Sequence, residues 1–267
     1  MAANPLLAAF KAKKPAFGAW LTTGGLFHVR TAAQASPHLS WLMIDCEHGL
    51  IPLVPGAAES IATIHSAAPQ GGPSAIVRIP ATGVSGSTSW QIKYALDAGA
   101  RGVLVPMVST PEKAKEIVMD SKFPPAGRRG FGSPFTQGNW GLTVPQYLAT
   151  ANDTVSVMIQ IENQEAVQNL EQIAAVEGID VLFIGPYDLS INLGFPTPSP
   201  DPHPEVEKVI QRILEASHAA GKKCAIYCIS GAQAAKRAAE GFDMINVTSD
   251  MDAMKEAISG HLAAAAK

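Results

Sequence analysis

The strongest constraint on this chain is a rhythm of short apolar runs separated by helix-length segments. The runs are "FGAWLT" (17–22), "WLMIDC" (41–46), "AIVRIP" (75–80), "GVLVPMV" (102–108), "VSVMIQIE" (155–162), "VLFIG" (181–185), "CAIYCI" (224–229) and "MINVT" (244–248). Each is rich in Val and Ile or aromatic residues and stops at Gly, Pro or a polar residue, as buried strands do. Between most of them lie amphipathic, alanine-rich stretches such as "SWQIKYALDAGA" (89–100), "PEKAKEIVMDS" (111–121) and the one within 202–221. Several end in glycine, the residue that most easily adopts the left-handed turn closing a helix. Strand and helix alternating along one chain imply parallel strands with crossover helices. Eight such units predict an α/β fold, a closed (β/α)8 TIM barrel made by residues 1–267 as one domain. An open doubly wound sheet is the alternative, but it ordinarily carries a glycine fingerprint after the first strand, and "TTGGLF" is not one.

Composition excludes several classes of function. Apolar residues make up 47% and charged residues 16%, a globular balance, and a net charge of −3 offers no basic footprint for nucleic acid or a membrane surface. No run approaches the roughly eighteen apolar residues of a membrane span, and the N-terminus lacks the order of a secretory signal. Three cysteines, Cys46, Cys224 and Cys228, without further ligands at zinc spacing, read as thiols in a reducing compartment. The expectation is a cytoplasmic protein.

In a barrel of this kind, chemistry gathers where strands end. The second run ends in Asp45, Glu47 and His48; the third carries Arg78 among aliphatic residues. In the fifth, Val157, Ile159 and Ile161 alternate with Met158, Gln160 and Glu162. The aliphatic set should face the helices, leaving Gln160 and Glu162 towards the barrel mouth. The sixth run leads into "IGPYDLS", with Asp188 just past a Gly-Pro turn.

Each residue has a plainer explanation. Arg78 as a core ion pair, Asp188 as a helix cap, His48 as a turn residue and Glu162 as a helix-start acid are all ordinary. Together those explanations weaken, because so much charge at one barrel end is costly unless something compensates it. A cation between Glu162 and Asp188 would do so. Oxygen donors without clustered thiols favour Mg²⁺, Mn²⁺ or Co²⁺ over catalytic zinc. A Schiff-base lysine is disfavoured: Lys222 and Lys223 stand ahead of the seventh run and Lys93 is on a helical segment.

The ordered segments "WLMIDCEHG", "IVRIP", "LDAGARGVLVPMVST", "PPAGRRGFG", "VMIQIEN", "AAVEGIDVLFIGPYDLS" and "HPEV" resemble the HpcH/HpaI aldolase family of metal-dependent class II pyruvate aldolases, from about Phe17 to the last strand. The resemblance implies a homo-oligomer, often a hexamer built from dimers exchanging a C-terminal helix (a trimer is the other form considered). It implies metal ligands at Glu162 and Asp188, with pyruvate or its enolate chelating the ion. It gives Arg78 the keto oxygen, His48 and Asp45 the role of a base dyad, and Glu47 a place near the metal waters. The amides of Tyr187 and Asp188 would receive the substrate carboxylate, and Gln160 would line the site. The implied reaction is reversible aldol cleavage of a 4-hydroxy-2-oxo acid to pyruvate and an aldehyde.

Two departures matter. Tyr187 stands where bacterial members often have a small residue, which would narrow the carboxylate end. "GRRGFGSPFTQGNWGLTVPQY" (127–147) brings Arg128, Arg129, Phe131 and Trp140 into a variable loop, and its paired arginines resemble a fungal branch, macrophomate synthase. That makes oxaloacetate decarboxylation through the same enolate the second reading, and a non-catalytic barrel binding a 2-oxo acid the third. For Arg128 and Arg129, a salt-bridged loop or subunit contact and substrate binding stand level. Trp20 is expected to pack beneath the site.

Overall fold

The computed structural model describes residues 4–67, 72–80 and 87–266. Eight parallel strands close into a barrel in sequence order: β1 (Ala16–Leu21), β2 (Trp41–Asp45), β3 (Ser74–Arg78), β4 (Gly102–Val105), β5 (Ser156–Ile161), β6 (Val181–Ile184), β7 (Lys223–Ile226) and β8 (Met244–Ser249). All eight sequence runs become strands, with their ends shifted by up to three residues. The expected (β/α)8 barrel is the observed one, and the open sheet is excluded by the β1–β8 pairing.

Helices fill the crossovers. In the first half they are α1 (Pro5–Lys11), α2 (Leu26–Ala33), α3 (Ala58–Ser66), α4 (Ser89–Asp97) and α5 (Pro111–Ser121). Then come α6 (Thr136–Asn139), α7 (Val144–Thr154), α8 (Gln164–Gln168), α9 (Leu170–Ala174), α10 (Pro186–Asn192), α11 (Pro204–Ala219), α12 (Gly231–Glu240) and α13 (Asp250–Ala265). The glycines read as helix stops, Gly99, Gly221 and Gly241, all have positive φ, which a side chain would oppose. No described helix is long and apolar enough to cross a membrane.

Strand alternation divides the buried residues into two layers. Val157, Ile159 and Ile161 join the shell between strands and helices, while Met158 packs inside the barrel with Trp20, Trp41, Met43, Ile76, Leu104 and Phe183. Each fully buried aliphatic or aromatic side chain stabilises such a core by about 1.5–3 kcal/mol relative to exposure. Gly18 makes the inner layer possible, because a Cβ there would overlap the Trp41 indole. The N-terminal segment forms α1 and seals the barrel floor. Leu6 enters the inner layer, and Asn4 caps α1 while accepting a hydrogen bond from Ser74 Oγ at 2.7 Å. The three cysteines are free, buried thiols. Burial pushes each of them up to about 12, which leaves them protonated and unreactive.

Lys223 is the first residue of β7 rather than lying ahead of it. Its Nζ bonds Asp243 at 2.7 Å and lies near the Phe10 ring, on the α1 side of the barrel, far from the strand C-termini.

Candidate active site

The strand C-termini surround a cavity of about 430 Å³. Asp45, His48, Arg78, Gln160, Glu162, Tyr187 and Asp188 all line it, so residues from β2, β3, β5 and the start of α10 meet at one opening.

Arg78 is the fixed point. It is opposite Asp45 in the β2–β3 ladder, and both side chains face inward. Its Nε donates to Asp45 Oδ1 at 2.8 Å, its Nη2 to Oδ2 at 2.7 Å, and its Nη1 lies 3.1 Å from Glu47 Oε2. The guanidinium also stands 5.1 Å from the centre of the Trp20 ring. Trp20 therefore both packs beneath the site and forms part of its wall. Burial opposes the charged form of Arg78, but Asp45, Glu47 and Glu162 outweigh it and hold the pKa above its ordinary value. Burial likewise raises Asp45, and the bonds and charge of Arg78 with two backbone N–H groups overcome this and lower it.

In this arrangement the Asp45 carboxylate meets Arg78 and the backbone of His48 rather than the His48 imidazole. Asp45 Oδ1 accepts the backbone N–H of Glu47 at 3.1 Å and of His48 at 3.3 Å, a turn built on the aspartate side chain. The His48 ring instead lies 3.7 Å from Glu47 Oε2 and is largely exposed at the rim. Asp45 thus shapes the loop that carries His48 without holding its imidazole.

On the other side, Glu162 is almost fully buried. Its Oε1 accepts the Met107 N–H at 2.8 Å and its Oε2 accepts from Gln160 Nε2. Burial is the main cause that raises Glu162 to about 7; the Met107 bond and Arg78 oppose the rise, while Asp188 and Glu47 add to it. Gly185, just before α10, presses on this carboxylate, and a Cβ there would strike Glu162 Oε2. Gln160 Oε1 is buried without a hydrogen-bond partner among the described residues, leaving an acceptor for a ligand. The first helical bond of α10 runs from the Leu189 N–H to the Gly185 carbonyl, so the amides of Tyr187 and Asp188 lie ahead of it in the first turn.

Glu162 and Asp188 fit a hard divalent cation. They are oxygen donors sharing one cavity, and their mutual repulsion is what an added positive charge relieves. Among the described residues no three His, Cys, Asp or Glu side chains converge on one metal position, so water and substrate would complete the shell.

Met107 escaped the sequence reading. Its φ of 54° lies in the left-handed region, unusual outside glycine, and the strained turn delivers its N–H to Glu162. The only sequence signal was its place after β4 in "VPMVST". Both loop arginines make ion pairs within the chain. Arg129 is buried, donating to Tyr147 Oη at 3.0 Å and Asp97 Oδ1 at 2.9 Å, and Arg128 Nε bonds Asp120 at 2.6 Å. Trp140 is buried too, with its indole N–H on the Gly99 carbonyl. None of the three lines the cavity.

Residues 29–257 match the family model described as HpcH/HpaI aldolase/citrate lyase. The chain belongs to the HpcH/HpaI aldolase/citrate lyase family. It is 39% identical over 235 residues to a 4-hydroxy-2-oxo-heptane-1,7-dioate aldolase of Shigella sonnei, covering 88% of this chain and 84% of that one. It is 33% identical over 261 residues to a 2-keto-3-deoxy-L-rhamnonate aldolase of Salmonella gallinarum, covering 97% and 92%. Among solved structures, an HpcH/HpaI aldolase/citrate lyase family protein from Burkholderia cenocepacia superposes with a TM-score of 0.87 at 31% identity, covering 99% of this chain and 100% of the other. Macrophomate synthase superposes with a TM-score of 0.83 at 26% identity, covering 98% and 87%. This member of the HpcH/HpaI family therefore shares its barrel with an HpcH/HpaI aldolase/citrate lyase family protein and with macrophomate synthase.

Proposed function

We propose that the chain is a divalent-metal-dependent carbon–carbon lyase that reversibly cleaves a 4-hydroxy-2-oxo acid into pyruvate and an aldehyde. The observation that carries this reading is Arg78: a permanently charged guanidinium, buried and locked by Asp45, beside a pair of carboxylates that ask for a cation. Breaking the C3–C4 bond leaves an enolate, so the site must stabilise a negative oxygen and move a proton. Mg²⁺, Mn²⁺ or Co²⁺ held by Glu162 and Asp188 would supply Lewis-acid stabilisation of that oxygen. Arg78 sets a preorganised charge at the same place, which is worth more in a water-poor cavity than in solvent. The amides of Tyr187 and Asp188 receive the substrate carboxylate, and Gln160 orients Glu162. His48, at the rim, takes the proton of the C4 hydroxyl as the bond breaks and, with water, returns a proton to C3. Glu47, touching both Arg78 and His48, keeps the two in register.

Oxaloacetate decarboxylation is the second reading, favoured by the likeness to macrophomate synthase, and it needs the same enolate stabilisation. Free buried thiols support a cytoplasmic setting. We infer a homo-oligomer in which α13 is exchanged between copies. This helix buries none of its residues, and Met251, Met254, Ile258 and Leu262 form an exposed apolar stripe at helical spacing.

Proton NMR of pyruvate in deuterated water tests the reading, using chelator-stripped protein before and after Mg²⁺. Magnesium-dependent loss of the methyl signal is expected, and Arg78→Lys should slow it at least roughly 100-fold. A folded protein that leaves the methyl signal intact with Mg²⁺, Mn²⁺ and Co²⁺ in turn sinks the aldolase reading.

A further inference from the structure

The residues given to pyruvate chemistry occupy one arc of the barrel mouth, from β2 and β3 round to β5 and α10. The arc from β7 through β8 to β1 remains, and the cavity extends over it past Tyr227, Ile229, Ser249 and Asp252. Among the described residues, this arc is the wall left for the aldehyde half of the substrate.

That wall has a definite chemistry. Arg78 is the only Lys or Arg among the described lining residues, and the carboxylates of Asp45 and Glu47 already balance its charge. Asp252 adds a further carboxylate to the cavity beyond Asp45, Glu162 and Asp188. It is held in place: Ser249 Oγ donates to its Oδ2 at 2.6 Å, and its own N–H returns to Ser249 Oγ at 3.1 Å. The start of α13 is itself pinned to the barrel by Asp250, which accepts bonds from Thr22 and Thr23 and pairs with His28 at 2.8 Å. Beside Asp252, Tyr227 and Tyr187 meet edge to face with ring centres 6.4 Å apart, and Tyr227 packs on Trp20 at 5.2 Å.

We propose that this arc, with Asp252 and the Tyr227 and Tyr187 phenols, selects an uncharged, hydroxylated aldehyde and rejects one bearing a carboxylate. The inference rests on the aldolase reading and adds the acceptor class to it. A second carboxylate on the substrate would enter a cavity already rich in carboxylates, with no Lys or Arg on this arc among the described lining residues to receive it. A hydroxyl is suited to the same wall, since Asp252 accepts its proton and a phenol can donate to its oxygen. Burial and the field of Asp252 raise both phenols, Tyr227 to about 12, so they stay protonated as donors. Of the two relatives named above, one acts on a dioate, so identity alone would point the other way.

The test is aldol addition of pyruvate, with the magnesium-loaded full chain, to three probes: lactaldehyde, propanal and 4-oxobutanoate. Lactaldehyde should exceed each of the others in kcat/KM by at least about tenfold. Asp252→Asn keeps the cap to Ser249 and should shift the 4-oxobutanoate-to-lactaldehyde ratio upward by roughly threefold or more, a modest change because the group is solvent-exposed. Tyr227→Phe should lower lactaldehyde relative to propanal. Wild-type protein that uses 4-oxobutanoate as well as lactaldehyde overturns the proposal, as does a ratio that Asp252→Asn leaves in place. The wild-type comparison needs no variant to fold. Failure of the parent reading looks different, because the pyruvate methyl protons then do not exchange at all.

Discussion

Asp45 and Arg78 are partners twice over: they stand opposite each other in the β2–β3 ladder, and their side chains close a two-point ion pair at 2.7 and 2.8 Å. The backbone register therefore dictates the electrostatics of the site.

Removing one member leaves a buried charge short of a partner. Asp45→Ala should cost about 3 kcal/mol of stability in urea unfolding, with Asp45→Asn recovering part of it. Activity should fall at least roughly 100-fold, since the guanidinium and the turn that carries His48 both lose their anchor. Unchanged stability in the alanine variant would show that Glu47 alone holds Arg78.

Gly185 needs its missing side chain because Glu162 lies against it. Gly185→Ala would place a methyl 3.2 Å from Gln160 Nε2 and closer still to Glu162 Oε2. The carboxylate must rotate away, so calorimetric Mn²⁺ affinity should drop at least roughly tenfold, as loss of a ligand's supporting contact does. Wild-type Mn²⁺ affinity in a folded Gly185→Ala protein would remove Glu162 from the metal site.

His65 predicts how the fold responds to acid. Burial and the neighbouring charge of Arg101 lower it to about 4, with the Asn139 backbone opposing. The unfolded chain then binds a proton that the fold excludes. This stability is present above about pH 6.5 and is lost as the pH falls through about 4, up to roughly 3 kcal/mol. His65→Gln should flatten the fall in urea midpoint between pH 6.5 and 4, and an undiminished fall would assign it to other groups.

The stripe on α13 bears on assembly. In an isolated chain Ile258→Asp changes an exposed position and should shift stability by no more than about 0.5 kcal/mol. In a helix-exchanged assembly the same charge is buried without a partner, and sedimentation should show a smaller mass than wild type. Equal masses would place the contacts between copies elsewhere.

Much of this was legible in the chain because alternation is local information. "VMIQIE" assigns Met158, Gln160 and Glu162 to one face by parity alone, and eight repeats of strand and helix leave few ways to close a sheet. The family likeness, spread over many segments, led to the same barrel and the same residues at its mouth. The partners of those residues were not legible. Whether Asp45 holds His48 or Arg78 depends on which residue of β3 stands opposite it, and register belongs to the closed sheet, not to either strand. The contacts of Arg129 and Trp140 turned on a helical excursion that folds back against the end of α4, which the sequence reading had left open between a salt-bridged loop and substrate binding. Met107 became visible only as a backbone angle. Side-chain type and spacing thus determined which groups reach the barrel mouth, while tertiary contacts decided which of them touch, because ion pairs at 2.7 Å are set by the docking of strands far apart in the chain.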